Sequence, residues 1–165
     1  MQAAQYWIDH LKLQLHPEGG YYRETYRAIE NISKMALPER FTGTRSFSTA
    51  IYFLLRSQDR SLFHRIKSDE LWHFHTGSTL SIYVFTQSSL VVHKLGSDPK
   101  KGESLQVVIP ANCWFGAKVD TPHSYTLSGC TVSPGFDFAD FEMAERSVLV
   151  QEFPQYEETI TMLTK

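Results

Sequence analysis

A chain of 165 residues, 42% hydrophobic and 13% aromatic, can bury one substantial core and is short for two. Its 16 basic and 18 acidic residues leave a formal charge of -2, and no basic run exceeds Lys100-Lys101, so the clustered phosphate-binding surface of a nucleic-acid protein is excluded. No apolar stretch approaches the roughly 18 residues that span a bilayer, and "MQAAQYWIDHLKLQ" lacks the basic start and apolar centre of a secretory signal. Cys113 and Cys130 sit in apolar, strand-like surroundings and read as free thiols, so a reducing cytoplasm is expected.

Residues 2–14 repeat apolar side chains at three- and four-residue steps (Ala3, Trp7, Ile8, Leu11), which predicts a helix. "HPEGG" ends it, because Pro17 and Gly19-Gly20 break helical geometry. "YYRETY" reads as a strand, and "RAIENISKMALPERFTGTR" as a long polar loop. From Ser46 the chain is β-rich. "SFSTAIYFLL" is apolar on both faces, and "SLFHRI", "LWHFH", "TLSIYVFT", "SLVVHKL", "SLQVVI", "NCWFGAKV", "HSYTLS" and "CTVS" follow, separated by turn signals. About nine short strands at such spacing predict a sandwich, jelly roll or small barrel. "PGFDFADFEMA" is extended or turning, and "AERSVLVQEF" and "QYEETITML" are two short helices split by Pro154. The reading is a single all-β domain, residues 1–165, with short helices at both ends.

Chemistry concentrates in "SLFHRIKSDELWHFHTG", which holds three of the seven histidines and Glu70. Zinc-finger spacings, phosphate-binding glycine loops and a nucleophile elbow are all missing. On a strand, Glu70, Trp72 and Phe74 share one face, and Leu71, His73 and His75 the other. His73 and His75 can therefore act as an i, i+2 pair, which Glu70 joins only across a bulge. His64, one strand earlier, can meet either set. A strand histidine is more often a surface or hydrogen-bonded core residue, and His10, His93 and His123 are read that way. Three histidines and a carboxylate on neighbouring strands point instead to a pocket, since buried ionisable groups are costly unless paired.

The stretch resembles the first motif of the cupin superfamily, with His64, Glu70 and Gly77 on its spacing and Ile66 where a second histidine is usual. In the second motif Pro110 is present, Asn112 replaces glycine and Phe115 replaces histidine. "LQLHPEGGYYRETYR", "KSDELWHFHTG" and "GCTVSPGFDFADFEMA" are similar to signatures of the Cupin_5 subgroup, related in fold to the dTDP-sugar epimerases, from about Leu13 to Ala144. The resemblance implies a jelly-roll β barrel, commonly a homodimer, with a small-molecule pocket in its mouth. His64 and Glu70 would point inward, with Trp72 and Phe74 continuing their face and His73 and His75 elsewhere.

Such a pocket suits a sugar or sugar derivative that is epimerised or isomerised. His64 would be the base, with Glu70 fixing its tautomer, and Tyr52, Tyr83 or Tyr125 the acid. Trp72 and Trp114 would stack on the sugar, although core packing is the commoner role of such rings. In a metal-bearing variant, His64, Glu70 and His75 would hold Zn, Ni, Mn or Fe in an open three-ligand site. The alternative is a non-catalytic module that binds or senses a carbohydrate-like metabolite. Glu18 and Glu24 can reach a pocket or a partner, or can belong to a turn entering an edge strand. The acidic run Asp137, Asp140, Glu142 and Glu145 lacks the spacing of a calcium loop, and its interleaved Phe136, Phe138 and Phe141 are expected to pack inward.

Overall fold

The computed structural model describes residues 3–87 and 89–165. Helix α1, Ala4–His10, ends before the predicted boundary, because Lys12 adopts φ 53 and the chain turns into strand β1, Gln14–Leu15. There follow β2 (Tyr21–Arg27), β3 (Asn31–Ile32), β4 (Arg45–Ser46), β5 (Thr49–Arg56), β6 (Ser61–Arg65) and β7 (Asp69–Gly77). Next come β8 (Leu80–Phe85), β9 (Leu90–Leu95), β10 (Gln106–Ile109), β11 (Phe115–Val119), β12 (Tyr125–Ser133) and β13 (Glu142–Met143). Helices α2, Arg146–Glu152, and α3, Glu157–Met162, close the described chain on either side of Pro154. No described helix is long and apolar enough to cross a membrane.

The strands form a six-stranded sheet, β1-β2-β5-β12-β7-β10, and a five-stranded sheet, β13-β6-β11-β8-β9. Their non-sequential order is that of a jelly roll. Period-two burial explains why they close on each other. Phe53, Leu55, Trp72 and Val107 of the first sheet meet Ile82, Val84, Phe115 and Ala117 of the second in one core. The strand that is apolar on both faces needs a second cover. Leu54 points away from Phe53 and Leu55 and packs with Ile8 and Leu13 beneath α1. On the outer side of the other sheet, Phe63 and Phe85 lie under Leu149, Phe153 and Ile160 of the C-terminal helices and their linker.

Two expectations change. The loop after β2 contains a small two-stranded sheet, β3-β4. "HSYTLS" and "CTVS" are one strand, β12, which runs unbroken through Gly129. A glycine there suits close approach rather than a turn, because a Cβ would press on the ring of His75 at 2.9 Å.

Candidate functional site

The "HPEGG" turn delivers the group that organises the site. Gly19 and Gly20 have φ 109 and 75, in the left-handed region, and a Cβ on Gly19 would run into the Arg60 carbonyl. The Glu18 carbonyl accepts a hydrogen bond from the Leu62 N–H (2.9 Å), which docks the turn on β6. The Glu18 side chain thereby enters the barrel, and the residue is 5% exposed.

Inside, Glu18 Oε2 lies 3.0 Å from His64 Nε2 and 3.3 Å from His16 Nδ1, while Oε1 accepts from the Ser61 hydroxyl at 2.8 Å. The proton inventory follows from the partners. His64 Nδ1 is 2.7 Å from the Leu62 carbonyl, which can only accept, so Nδ1 carries the ring proton and a neutral His64 presents a lone pair at Nε2. The Glu18 N–H donates to His16 Nδ1 at 3.4 Å, a long contact that makes this nitrogen an acceptor too. An ionised Glu18 would then press its oxygen on two lone pairs. One proton on Oε2, donated to His64 Nε2 at the shorter contact, relieves that conflict, and His16 Nδ1 keeps the Glu18 N–H as its donor. Burial acts in the same direction: it raises the Glu18 carboxyl well above its ordinary range, with the nearby Glu70 charge adding to the rise, and it lowers both imidazoles, His16 to about 4. The cluster is therefore a neutral carboxylic acid that donates to a neutral His64, with a neutral His16 beside it.

Glu70 is a second buried carboxyl, 8% exposed, pushed up to about 7 by burial and only partly relieved by the Cys130 thiol. Burial and the two carboxyls drive the Cys130 thiol in turn well above the ordinary thiol range. Trp72, two residues along the same face of β7, is 1% exposed, and its Nε1 hydrogen has no partner. All these groups line one cavity of about 450 Å³, within the size range of small-molecule sites. Its walls are largely aromatic. His16 meets Tyr22 edge-on at 4.6 Å and lies parallel to Phe138 at 6.3 Å, while the His64 ring lies 5.4 Å from that of Phe141. The stretch bearing Phe136, Phe138 and Phe141 is anchored by Asp140, whose two oxygens each receive a 2.6 Å hydrogen bond from buried Arg45. The acidic run is thus divided among an ion pair, a local cap at Asp137 and a Glu142–Arg65 bridge; Phe136 and Phe141 are half-buried on the cavity wall, whereas Phe138, expected to pack inward, stays 54% exposed at its rim.

Of the expected site residues, His64, Glu70 and Trp72 meet in the cavity. The other five do not join them. Phe74 follows the same face but packs against the core outside the cavity lining. His73 points to the opposite face, bonded to Thr131 Oγ1 (3.1 Å) and the Gln106 amide (2.9 Å). His75 is an exposed residue at a bulge, edge-on to Tyr52 at 5.8 Å, and the bulge comes too late to turn either histidine toward Glu70. Tyr52 belongs to the packing beneath α1, and Trp114 to the C-terminal helices, with the Arg65 guanidinium 4.3 Å above its ring. His16, Tyr22, Phe53 and Cys130 also line the cavity, and the sequence assigned none of them to a site. His16 had a signal, its place two residues before a buried Glu18 in the glycine turn, whereas Cys130 had none beyond an apolar strand.

The cupin metal arrangement does not fit these residues. Ile66 is buried where a second histidine would bind. Phe115 occupies the last ligand position, with its ring 4.1 Å from that of His64. His64 Nε2 is engaged by Glu18, and His75 is on the wrong side of its strand. Among the described residues no three His, Cys, Asp or Glu side chains are grouped to hold a metal ion.

Comparison with known proteins agrees with this architecture. The family described as Cupin_5, cupin superfamily (DUF985), matches residues 5–144. An uncharacterised Saccharomyces cerevisiae protein, YML079W, is 30% identical over 148 residues, covering 84% of this chain and 73% of the yeast protein. The crystal structure of protein SO0799 from Shewanella oneidensis superposes with a TM-score of 0.90 at 37% identity, covering 100% of this chain and 99% of that one. A hypothetical protein from Leishmania major gives a TM-score of 0.90 at 32% identity, covering 99% of each chain. Oxalate decarboxylase from Bacillus subtilis shares the fold alone, with a TM-score of 0.55 at 13% identity over 90% of this chain and 36% of that chain.

Proposed function

The chain belongs to the Cupin_5 family of the cupin superfamily, and we propose that its barrel cavity binds a carbohydrate-like small molecule and moves a proton on it, as a sugar isomerase or epimerase does. The observation that carries the reading is the pair of buried carboxyls lining one cavity: Glu18, which holds a proton against His64, and Glu70, which burial pushes up to about 7. Carboxyls whose surroundings give them different protonation states make an acid and a base. Glu70 takes the proton from a carbon beside a carbonyl and the C–H electron pair passes into the enolate; the proton stored on Glu18 is returned to the opposite face of the same carbon, or to the neighbouring carbon while the proton of the α-hydroxyl passes to the former carbonyl oxygen. His64 positions and tunes Glu18, since both its ring nitrogens are engaged within the protein. Proton NMR in D2O tests this: a turned-over ketose or aldose exchanges its α-hydrogen for deuterium with wild type, and Glu70→Gln stops the exchange while leaving binding by thermal shift within a few-fold.

A second reading, a binding or sensing module, is favoured by that same engagement of His64. It predicts a thermal shift with a sugar and no deuterium exchange with any sugar that binds. We also propose a homodimer. Tyr26 on β2, with Ile29, Met35 and Phe47 on the segments that follow, leaves large apolar side chains exposed, Met35 at 98%. Light scattering on the purified protein tests it, and a monomer at micromolar concentration counts against it.

A further inference from the structure

Four acidic residues line the cavity (Glu18, Glu24, Glu70 and Asp137), against one guanidinium, Arg27. Arg27 is not available to a ligand. It donates to Glu24 through Nε at 3.0 Å and Nη2 at 2.7 Å, and to the Phe136 carbonyl at 3.1 Å. It also sits at the rim, with its side chain 44% exposed, whereas Glu18, His64, Glu70 and Trp72 are all below 10%. Of the two imidazoles on the wall, His64 has both nitrogens engaged, and His16 has its Nδ1 engaged and is held neutral by burial, which lowers it to about 4. A phosphate or carboxylate entering the inner cavity would leave water and meet acids with no free cation, and burying an uncompensated charge is prohibitive.

The same wall offers a partner to a neutral ligand. The Trp72 indole N–H, donor only, is the one buried side-chain polar atom among the described residues without a partner. Trp7, by contrast, gives its indole N–H to the Tyr125 hydroxyl at 2.9 Å. Glu70 stands two residues from Trp72 on the same strand face, so an N–H donor and a carboxyl lie side by side, roughly 7 Å apart by strand geometry. Tyr22, Phe53 and Phe141 supply ring surface around them.

We infer that the cavity selects an uncharged, oxygen-bearing ring, a free sugar or sugar lactone, whose carbonyl or ring oxygen accepts from Trp72 Nε1 while a hydroxyl donates to Glu70, and that it rejects the phosphorylated, uronate and nucleotide-diphosphate forms of the same sugars. This rests on the reading of the cavity as a carbohydrate site. The test is NMR titration of full-length protein labelled with 15N, observing the indole N–H signals of its three tryptophans. Trp7→Phe and Trp114→Phe assign two of them, leaving that of Trp72 by elimination even if a Trp72 variant does not fold. The probes are glucose, fructose, ribose and glucono-1,5-lactone, each against a charged counterpart: glucose 6-phosphate, fructose 6-phosphate, ribose 5-phosphate and gluconate, with glucuronate and dTDP-glucose added. The expected result is a saturable downfield shift of the Trp72 signal with at least one neutral probe, at least tenfold weaker binding of its charged counterpart, and about tenfold loss of affinity in Trp72→Phe. Equal or tighter binding of a charged probe overturns the selection while the carbohydrate site stands. A neutral probe that binds without moving the Trp72 signal also overturns it. No binding by either set removes the carbohydrate site and the selection together.

Discussion

Two pairs of histidines lie on the same β framework and have opposite fates. His16 and His64 share a buried carboxyl inside the barrel, while His73 and His75 occupy the outer face of the six-stranded sheet. The outer pair is the denser cluster in the sequence, yet solvent and neighbouring amide and hydroxyl groups satisfy it. The inner pair is 48 positions apart in sequence, and only the fold joins it. Burial, not local density, gives a histidine pair its chemistry, because desolvation forces a choice of protonation state that water would leave open.

The largest effect that can break this comparison is removal of the shared acid. Glu18→Ala strands Ser61 and two imidazoles in the interior, and a loss on the order of 3 kcal/mol in urea denaturation at pH 7 is expected. His73→Ala serves as the outer control and costs below about 1 kcal/mol. Equal losses would mean that the inner cluster does not organise the barrel.

Glu70→Gln acts through pH. A carboxyl raised in the folded state contributes stability that is fully present below its unfolded pKa of about 4.5 and is lost as pH rises to about 7. The variant lacks that loss. Its stability at pH 8 relative to pH 4 therefore exceeds that of wild type by about 3 kcal/mol. The Glu18–His64 pair behaves differently. Between about 4.5 and 6.5 the unfolded chain carries one proton on the histidine, and the folded chain carries one on the glutamate, so the pair adds no slope there. Above 6.5 the unfolded pair has lost its proton, and below 4.5 it has gained a second, so the pair's contribution falls on both sides. His16, lowered to about 4, adds a loss as pH falls from 6.5. Denaturation curves from pH 4 to 8 for wild type and Glu70→Gln resolve these slopes.

A smaller effect tests how the acid is delivered. Gly19→Ala forces a left-handed residue against the Arg60 carbonyl, and a loss of about 1–3 kcal/mol is expected. The smallest belongs to the outer pair, where His75→Ala should change the midpoint of unfolding by less than about 0.5 kcal/mol.

The alternation of β7 made part of this site legible. Glu70 and Trp72 share a face with apolar neighbours and do turn inward, and the cupin spacing pointed to His64. The separate strands and the two-helix tail were also readable, because turn residues punctuate them. Tyr52 and Trp114 were not placeable, since an aromatic on a two-sided strand packs equally well under a helix or in a cavity, and only the third dimension decides. Gly129 misled for a related reason: a glycine inside a strand can mean a turn or a close approach, and here it makes room for the His75 ring. His16 was hidden because it meets His64 only through Glu18, and the fold alone brings the turn that carries His16 and Glu18 onto β6.

The docking of the "HPEGG" turn on β6 has a kinetic consequence. Glu18 reaches Ser61 across 43 residues, and the turn's backbone bond to Leu62 closes the same long loop. Contacts of such separation carry a closure entropy, as do the β5–β12 and β7–β12 pairings of the sheet, so the turn docks as part of the barrel's long-range assembly rather than as a local event. Until the turn docks, Ser61 and His64 have no acid to meet, and water can reach them. The proton between Glu18 and His64 is thus a marker of completed folding. The ring C–H resonances of His64 in refolding protein should reach their native shifts together with closure of the barrel, and not in an earlier, local phase.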